Sequence, residues 1–200
     1  MGEISAAVVR ELRDKTGAGM MDCKKALAEV GGDLEKAVDY LRTKGLASAA
    51  KRAGRATREG LVHAYVHPGG RIGVLVEVNC ESDFVARTDV FVELCKDLGM
   101  QIAATSPACV RRQEFDAGIL EREKAIFQAQ AVESGKPPAV LEKMVAGRVE
   151  KLYKERVLLE MAFVKDPQMT VEERIKTEIA KLGENIEVRR FVRFQLGEEA

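Results

Sequence analysis

Along the first part of the chain, apolar residues recur three and four positions apart, and glycines interrupt them at each turn. Val8, Val9 and Leu12 share one helical face, which the Ser5 hydroxyl can cap by accepting from a first-turn N–H. Thr16-Gly17-Ala18-Gly19 ends that helix. Cys23, Ala26, Leu27 and Val30 mark a second, stopped at Gly31-Gly32, where left-handed backbone costs little. Asp33 caps a third, striped with Leu34, Ala37, Val38 and Leu41. The spacing predicts a three-helix module over residues 1–46, close to the lower size limit for folding without staples.

Residues 47–60 lose the stripe and turn small and basic (Lys51, Arg52, Arg55, Arg58), which reads as a linker with room for some helix. Leu61–His67 and Arg71–Cys80 are β-branched and alternate or run apolar about Pro68-Gly69-Gly70, a hairpin signal. Ile72, Val74, Val76 and Val78 share the face expected to be core. After the Ser82-Asp83-Phe84 corner, where Asp83 is expected to cap, Phe91, Leu94, Cys95, Leu98 and Ile102 predict a helix packed back on the sheet. Phe115 to Phe163 reads as charged helix interrupted at Ser134–Pro138. Thr170-Val171-Glu172-Glu173 is a capping box opening a helix with Val171, Ile175, Ile179 and Leu182, which stops at Gly183. Ile186, Val188, Val192 and Phe194 then alternate with charge as a closing strand that must pair with the hairpin. The fold class is α+β: a three-helix domain, a linker, and a core over residues 61–200 built on a three-stranded antiparallel sheet packed by helices.

Composition narrows the function classes. The 32 basic and 32 acidic residues of this 200-residue chain cancel, removing the overall positive field that drives non-specific nucleic-acid binding. No apolar run approaches the ~20 residues that span a bilayer. The N-terminal residues are too polar for a signal or transit peptide. Cys23, Cys80, Cys95 and Cys109 form no Cys-x-x-Cys pair, which suits reduced thiols in a cytoplasm.

Candidate chemistry is sparse. His63 and His67 point to one face of a strand with only Cys80 across the hairpin, so rim histidines are expected in preference to a metal site. A Cys80/His63 nucleophilic pair lacks an elbow, an oxyanion loop and an orienting carboxylate. Neither Gly69-Gly70 nor Gly17-Ala18-Gly19 sits between a strand and a helix with phosphate-loop residues. The Lys51–Arg58 cluster lacks aromatic residues for stacking bases and reads as a solvated face. No cofactor, metal, nucleic acid or membrane is therefore expected. Two features stand apart. Met20-Met21 opens a helix straight after a glycine turn, where a polarisable pair serves either as a core plug or as a partner surface. Phe84 follows Asp83 at the sheet rim, and spacing leaves open whether it is core or exposed.

The segment Arg10–Arg13 with Thr16–Leu27 and Gly32-Asp33, and the run from Arg71 to Arg87 that contains Ser82-Asp83-Phe84-Val85, resemble the two signatures of the elongation factor Ts family. Ser134–Pro137, Glu142–Val145, Gly147-Arg148, Arg193-Phe194 and Gly197-Glu198 match it further on, so the resemblance covers nearly the whole chain in order. It implies a guanine-nucleotide exchange factor for the GTPase elongation factor Tu, with no chemical step of its own, and an N-terminal domain like a ubiquitin-associated module. It assigns Ser82, Asp83, Phe84 and Val85 to dislodging Mg²⁺ from the partner, Phe84 as a wedge and Asp83 as a loop-positioning cap. Leu12, Arg13, Met20 and Met21 become the N-terminal contact surface, and His67 a looser contact. Ser82 stands where the family usually has Thr. Longer members carry two core subdomains and an inserted coiled coil, whereas one hairpin and one closing strand here imply a short form that homodimerises to complete its core. The rival reading is an adaptor whose three-helix module binds protein without exchange activity.

Overall fold

The computed structural model describes residues 4–133, 135 and 137–198. The chain divides into two compact units, one comprising Met1–Leu61, Val78–Leu94 and Glu173–Glu187, the other Val62–Glu77, Cys95–Glu172 and Val188–Ala200.

The first unit begins with α1 (Ala6–Thr16), α2 (Met20–Glu29) and α3 (Leu34–Arg52). Ser5 Oγ accepts from Val8 N at 3.3 Å, Asp33 Oδ1 accepts from Lys36 N at 3.1 Å, and Gly17 takes the left-handed C-cap. Val9, Leu12, Cys23, Ala26, Leu27 and Ala37 form the core between the helices, as their periodicity requires. α3 runs to Arg52, so residues 47–52, read as linker, continue the third helix. The reason is local propensity joined to packing. The stretch is alanine-rich, and Gly45 brings α3 so near α8 (Val171–Leu182) that an added Cβ would stand 3.2 Å from Ala180 Cβ.

The chain then forms β1 (Glu59–Val66) and β2 (Ile72–Cys80), a single turn α4 (Asp83–Ala86) and α5 (Asp89–Thr105). β5 (Ile186–Gln195) completes a three-stranded antiparallel sheet of order β1-β2-β5, as the need for a backbone partner predicts. Val74, Val76 and Val78 are buried, whereas Ile72 is half-buried. Phe91, Leu94, Cys95, Leu98 and Ile102 of α5 are all fully buried, as their helical spacing requires.

In the second unit α5 approaches β1 closely, because Gly99 offers no side chain: a Cβ there would lie 2.8 Å from Tyr65 Cβ. The opposite sheet face is apolar and exposed. Val62 and Phe194 are 67% and 68% exposed, and Leu75 and Val192 also face solvent. Val62, Leu75, Glu77, Arg190, Phe191 and Val192 line a shallow cavity of about 270 Å³ there.

α6 (Ala117–Val132) and α7 (Pro138–Arg156) pack together as a helical hairpin, in agreement with the reading of charged helix on both sides of an interruption. Ser134 and Lys136, part of the motif at its tip, lie outside the described residues. Helix does not persist to Phe163. At Val157 the backbone turns extended and forms a parallel bridge with Cys109, and β3 (Ala162–Phe163) then pairs antiparallel with β4 (Asp166–Thr170). Gln101, fully buried, fixes that turn by donating to Ala162 O at 3.1 Å and accepting from Val164 N at 2.8 Å. These partners are remote in sequence, which is why residue spacing does not reveal them.

Candidate functional site

The Ser82–Val85 corner lies where β2 ends. Ser82 is extended (φ −129°, ψ 153°) and its Oγ accepts from Val85 N at 3.4 Å, so Ser82 is the cap of α4. This corrects the expectation that Asp83 caps. Asp83 already stands in the first helical position, and its carboxylate pairs with Arg87 at 2.8 Å on the surface, where such a pair contributes little. Val85 is buried and anchors the turn. Phe84 is 78% exposed, which settles the choice that spacing left open: the ring is presented to solvent.

The corner is held from a distant part of the chain. Glu184 follows the left-handed Gly183 that stops α8. Its Oε1 accepts from Ser82 Oγ at 2.6 Å, and its Oε2 accepts from Ser82 N at 3.0 Å and Glu81 N at 3.2 Å. Glu81 returns the contact by accepting from Asn185 N at 2.6 Å, and Asn185 Nδ2 donates to Arg55 O at 3.0 Å. Arg52 Nε donates to Gly183 O at 2.9 Å. Two members of the basic cluster therefore brace these loops, which corrects its reading as a solvated linker face. Sequence reasoning missed Glu184 and Asn185. The one available signal was a charged residue directly after a helix-stopping glycine.

At the other candidate surface, Met20 and Met21 are exposed, Met21 to 66%, on the first turn of α2, and Arg13 is exposed at the end of α1. Leu12 is fully buried in the three-helix core, so it backs this surface and cannot be touched by a partner. The turn before Met20 also rests on α8, since a Cβ at Gly17 would meet Lys181 Cε at 3.0 Å. His67 belongs to the second unit, exposed at the hairpin end with Tyr65 Oη 3.1 Å from its Nδ1.

Cys80 is fully buried, and burial first, with the nearby Glu184 charge second, pushes its thiol up to about 11. A thiol raised in this way favours the folded state below the ordinary cysteine range of about 8.5, and the contribution fades as pH rises toward 11. His63 lies in the other unit. At pH 7.5 we expect a thiol reagent to label Cys80 only at the rate of unfolding, with all four cysteines reacting at once in denaturant. Rapid native labelling of Cys80, read by peptide mass, would contradict this.

Among the described residues no group of three or more His, Cys, Asp or Glu is arranged to hold a metal ion, and no helix is long and apolar enough to cross a membrane. The braced aromatic corner and the methionine-tipped helix are both apolar and both exposed, the chemistry that suits contact with another protein.

A family model described as Elongation factor TS matches residues 48–198. Elongation factor Ts of Desulforamulus reducens is 61% identical over 198 residues, covering 99% of this chain and 91% of the relative. That of Heliobacterium modesticaldum is 61% identical over 195 residues (98% and 91%), and that of Thermoanaerobacter pseudethanolicus 59% over 195 (98% and 96%). The chain belongs to the elongation factor Ts family.

Proposed function

We propose that this protein is a cytoplasmic guanine-nucleotide exchange factor for elongation factor Tu, performing no bond chemistry itself. The observation that carries the reading is the exposure of Phe84 on a corner fastened by Glu184 in a member of this family. Phe84 is the wedge, Asp83 contributes partner hydrogen bonds beside it, and Ser82 and Val85 are the internal anchors. Met20, Met21 and Arg13 supply a second contact on the GTPase, and His67 a peripheral one. Residues 1–46 act as a module like a ubiquitin-associated domain.

Linkage sets what such a factor must do. If it binds the nucleotide-free GTPase more tightly than the GDP form, it weakens GDP by the same factor. A nanomolar nucleotide is held by about 12 kcal/mol. Dislodging Mg²⁺ removes the charge that neutralises the phosphates, and incoming GTP then displaces the factor by the same reciprocity. The decisive measurement mixes the purified chain with elongation factor Tu preloaded with fluorescent GDP. Release is expected to accelerate and to saturate with factor concentration. Binding without acceleration would leave the adaptor reading in its place.

We further propose that the protein works as a homodimer, closed through the apolar sheet face of Val62, Leu75, Val192 and Phe194. Support comes from the exposure of that face, since burying it against its own copy removes apolar surface from water.

A further inference from the structure

We infer that Glu184 is a positioning residue for nucleotide exchange: it holds the Ser82–Val85 corner in the one backbone conformation that presents Phe84. The inference rests on the exchange reading above and adds to it the group that sets the wedge.

The corner cannot hold itself. α4 is four residues long, far below the length at which a helix is stable alone, and Phe84 at its head contributes little burial. Buried Val85 seats its C-terminal side, where Thr88 Oγ1 donates to Val85 O at 2.8 Å, and Cys80 Sγ donates to Ser82 O at 3.1 Å. Its N-terminal side is fixed by three donors converging on one carboxylate: the Ser82 hydroxyl at 2.6 Å and the backbone N–H groups of Ser82 and Glu81 at 3.0 and 3.2 Å. The hydroxyl proton is committed to Glu184, which leaves the Ser82 oxygen to accept from Val85 N, so the carboxylate also fixes the cap that starts the turn. The reciprocal bond from Asn185 N to Glu81 ties the two loops in both directions. Charge-assisted bonds of this kind are roughly twice as strong as neutral ones. Glutamine can offer one acceptor oxygen and an NH₂ where two acceptor oxygens now stand, so at least one of the three donors loses its partner.

α8 links this site to the other contact surface. Lys181, against Gly17, lies three residues before Glu184 and donates to Glu178 at 3.1 Å. One helix end thus braces both the methionine-bearing turn and the aromatic corner.

The test titrates each factor against elongation factor Tu preloaded with fluorescent GDP, comparing the wild type, Glu184→Ala, Glu184→Gln, Phe84→Ala and Glu184→Ala/Phe84→Ala. Because the wedge acts only in the open complex, Glu184→Ala is expected to lower the maximal release rate by about tenfold while the half-saturating concentration stays within about twofold. Glu184→Gln should fall between, and the double variant should be no slower than Phe84→Ala alone. Multiplied defects in the double variant, or an unchanged maximal rate in Glu184→Ala, overturn the inference. Amide hydrogen exchange on the free factor reports on Glu184 independently of the wedge. Exchange at Glu81, Ser82 and Val85 should rise about tenfold or more in Glu184→Ala, with the β2 amides unchanged. A uniform rise through the unit would mean loss of stability and would also overturn it. If Phe84→Ala releases GDP at the wild-type rate, the wedge reading fails, and the exchange pattern still decides whether Glu184 holds the corner.

Discussion

Replacing Phe84 by alanine is expected to slow factor-stimulated GDP release from elongation factor Tu by roughly 30- to 150-fold and to leave the free factor folded. The rate effect follows from what an inserted ring gains. Burying a phenylalanine contributes about 2–3 kcal/mol, and that energy accelerates release only if it is gained in the open complex and not before. A side chain 78% exposed in the free protein holds nearly all of that gain in reserve. The same exposure predicts the stability result, since truncating a surface side chain shifts unfolding by no more than about 0.5 kcal/mol. Stopped-flow release of fluorescent GDP and a thermal melt test the two halves separately. An unchanged release rate would remove Phe84 from the mechanism, whereas a large drop in melting temperature would assign it a structural role.

Placing a charge on the outer sheet face is the second change with a large expected effect. Leu75→Glu is expected to convert a dimer into monomers at micromolar concentration, raising the dissociation constant more than about a hundredfold. Leu75 occupies the exposed side of β2, the central strand, with Val62 and Val192 sharing its cavity. A carboxylate there would be buried in the dimer beside Glu77, whose charge Arg190 already pairs at 2.7 Å, so it adds an uncompensated charge at several kcal/mol, and each 1.4 kcal/mol is a factor of ten. In the monomer the same carboxylate is solvated, so the fold is untouched. Sedimentation velocity on the wild type and the variant reads the outcome directly. A wild-type monomer at tens of micromolar would overturn the dimer, and a variant that stays dimeric would place its interface elsewhere.

Much of the architecture was legible as pattern. The stripes of α1 to α3, the caps at Ser5 and Asp33, the alternation on β2 and the stripe of α5 all report local conformation, where periodicity and side-chain chemistry agree. Where the reading missed, the deciding partner was remote. Residues 47–52 stay helical because α3 packs close to α8 at Gly45, and the chain after Arg156 leaves the helix to bridge Cys109. Leu12 and Val85, quoted within motifs assigned to partner contact, are internal. A motif marks which residues travel together, and it does not say which of them face outward.

By itself the sequence determined the α+β class, the family through its glycine-punctuated motifs, and a short list of candidate residues. Only the tertiary structure decided which of these reach solvent: Phe84, Met20 and Met21 do, while Leu12 and Val85 stay inside. It alone also showed what fastens the corner. Glu184 and Ser82 are 102 residues apart, and a hydrogen bond over that separation leaves no periodic trace, because it exists only once the fold has brought its donor and acceptor together.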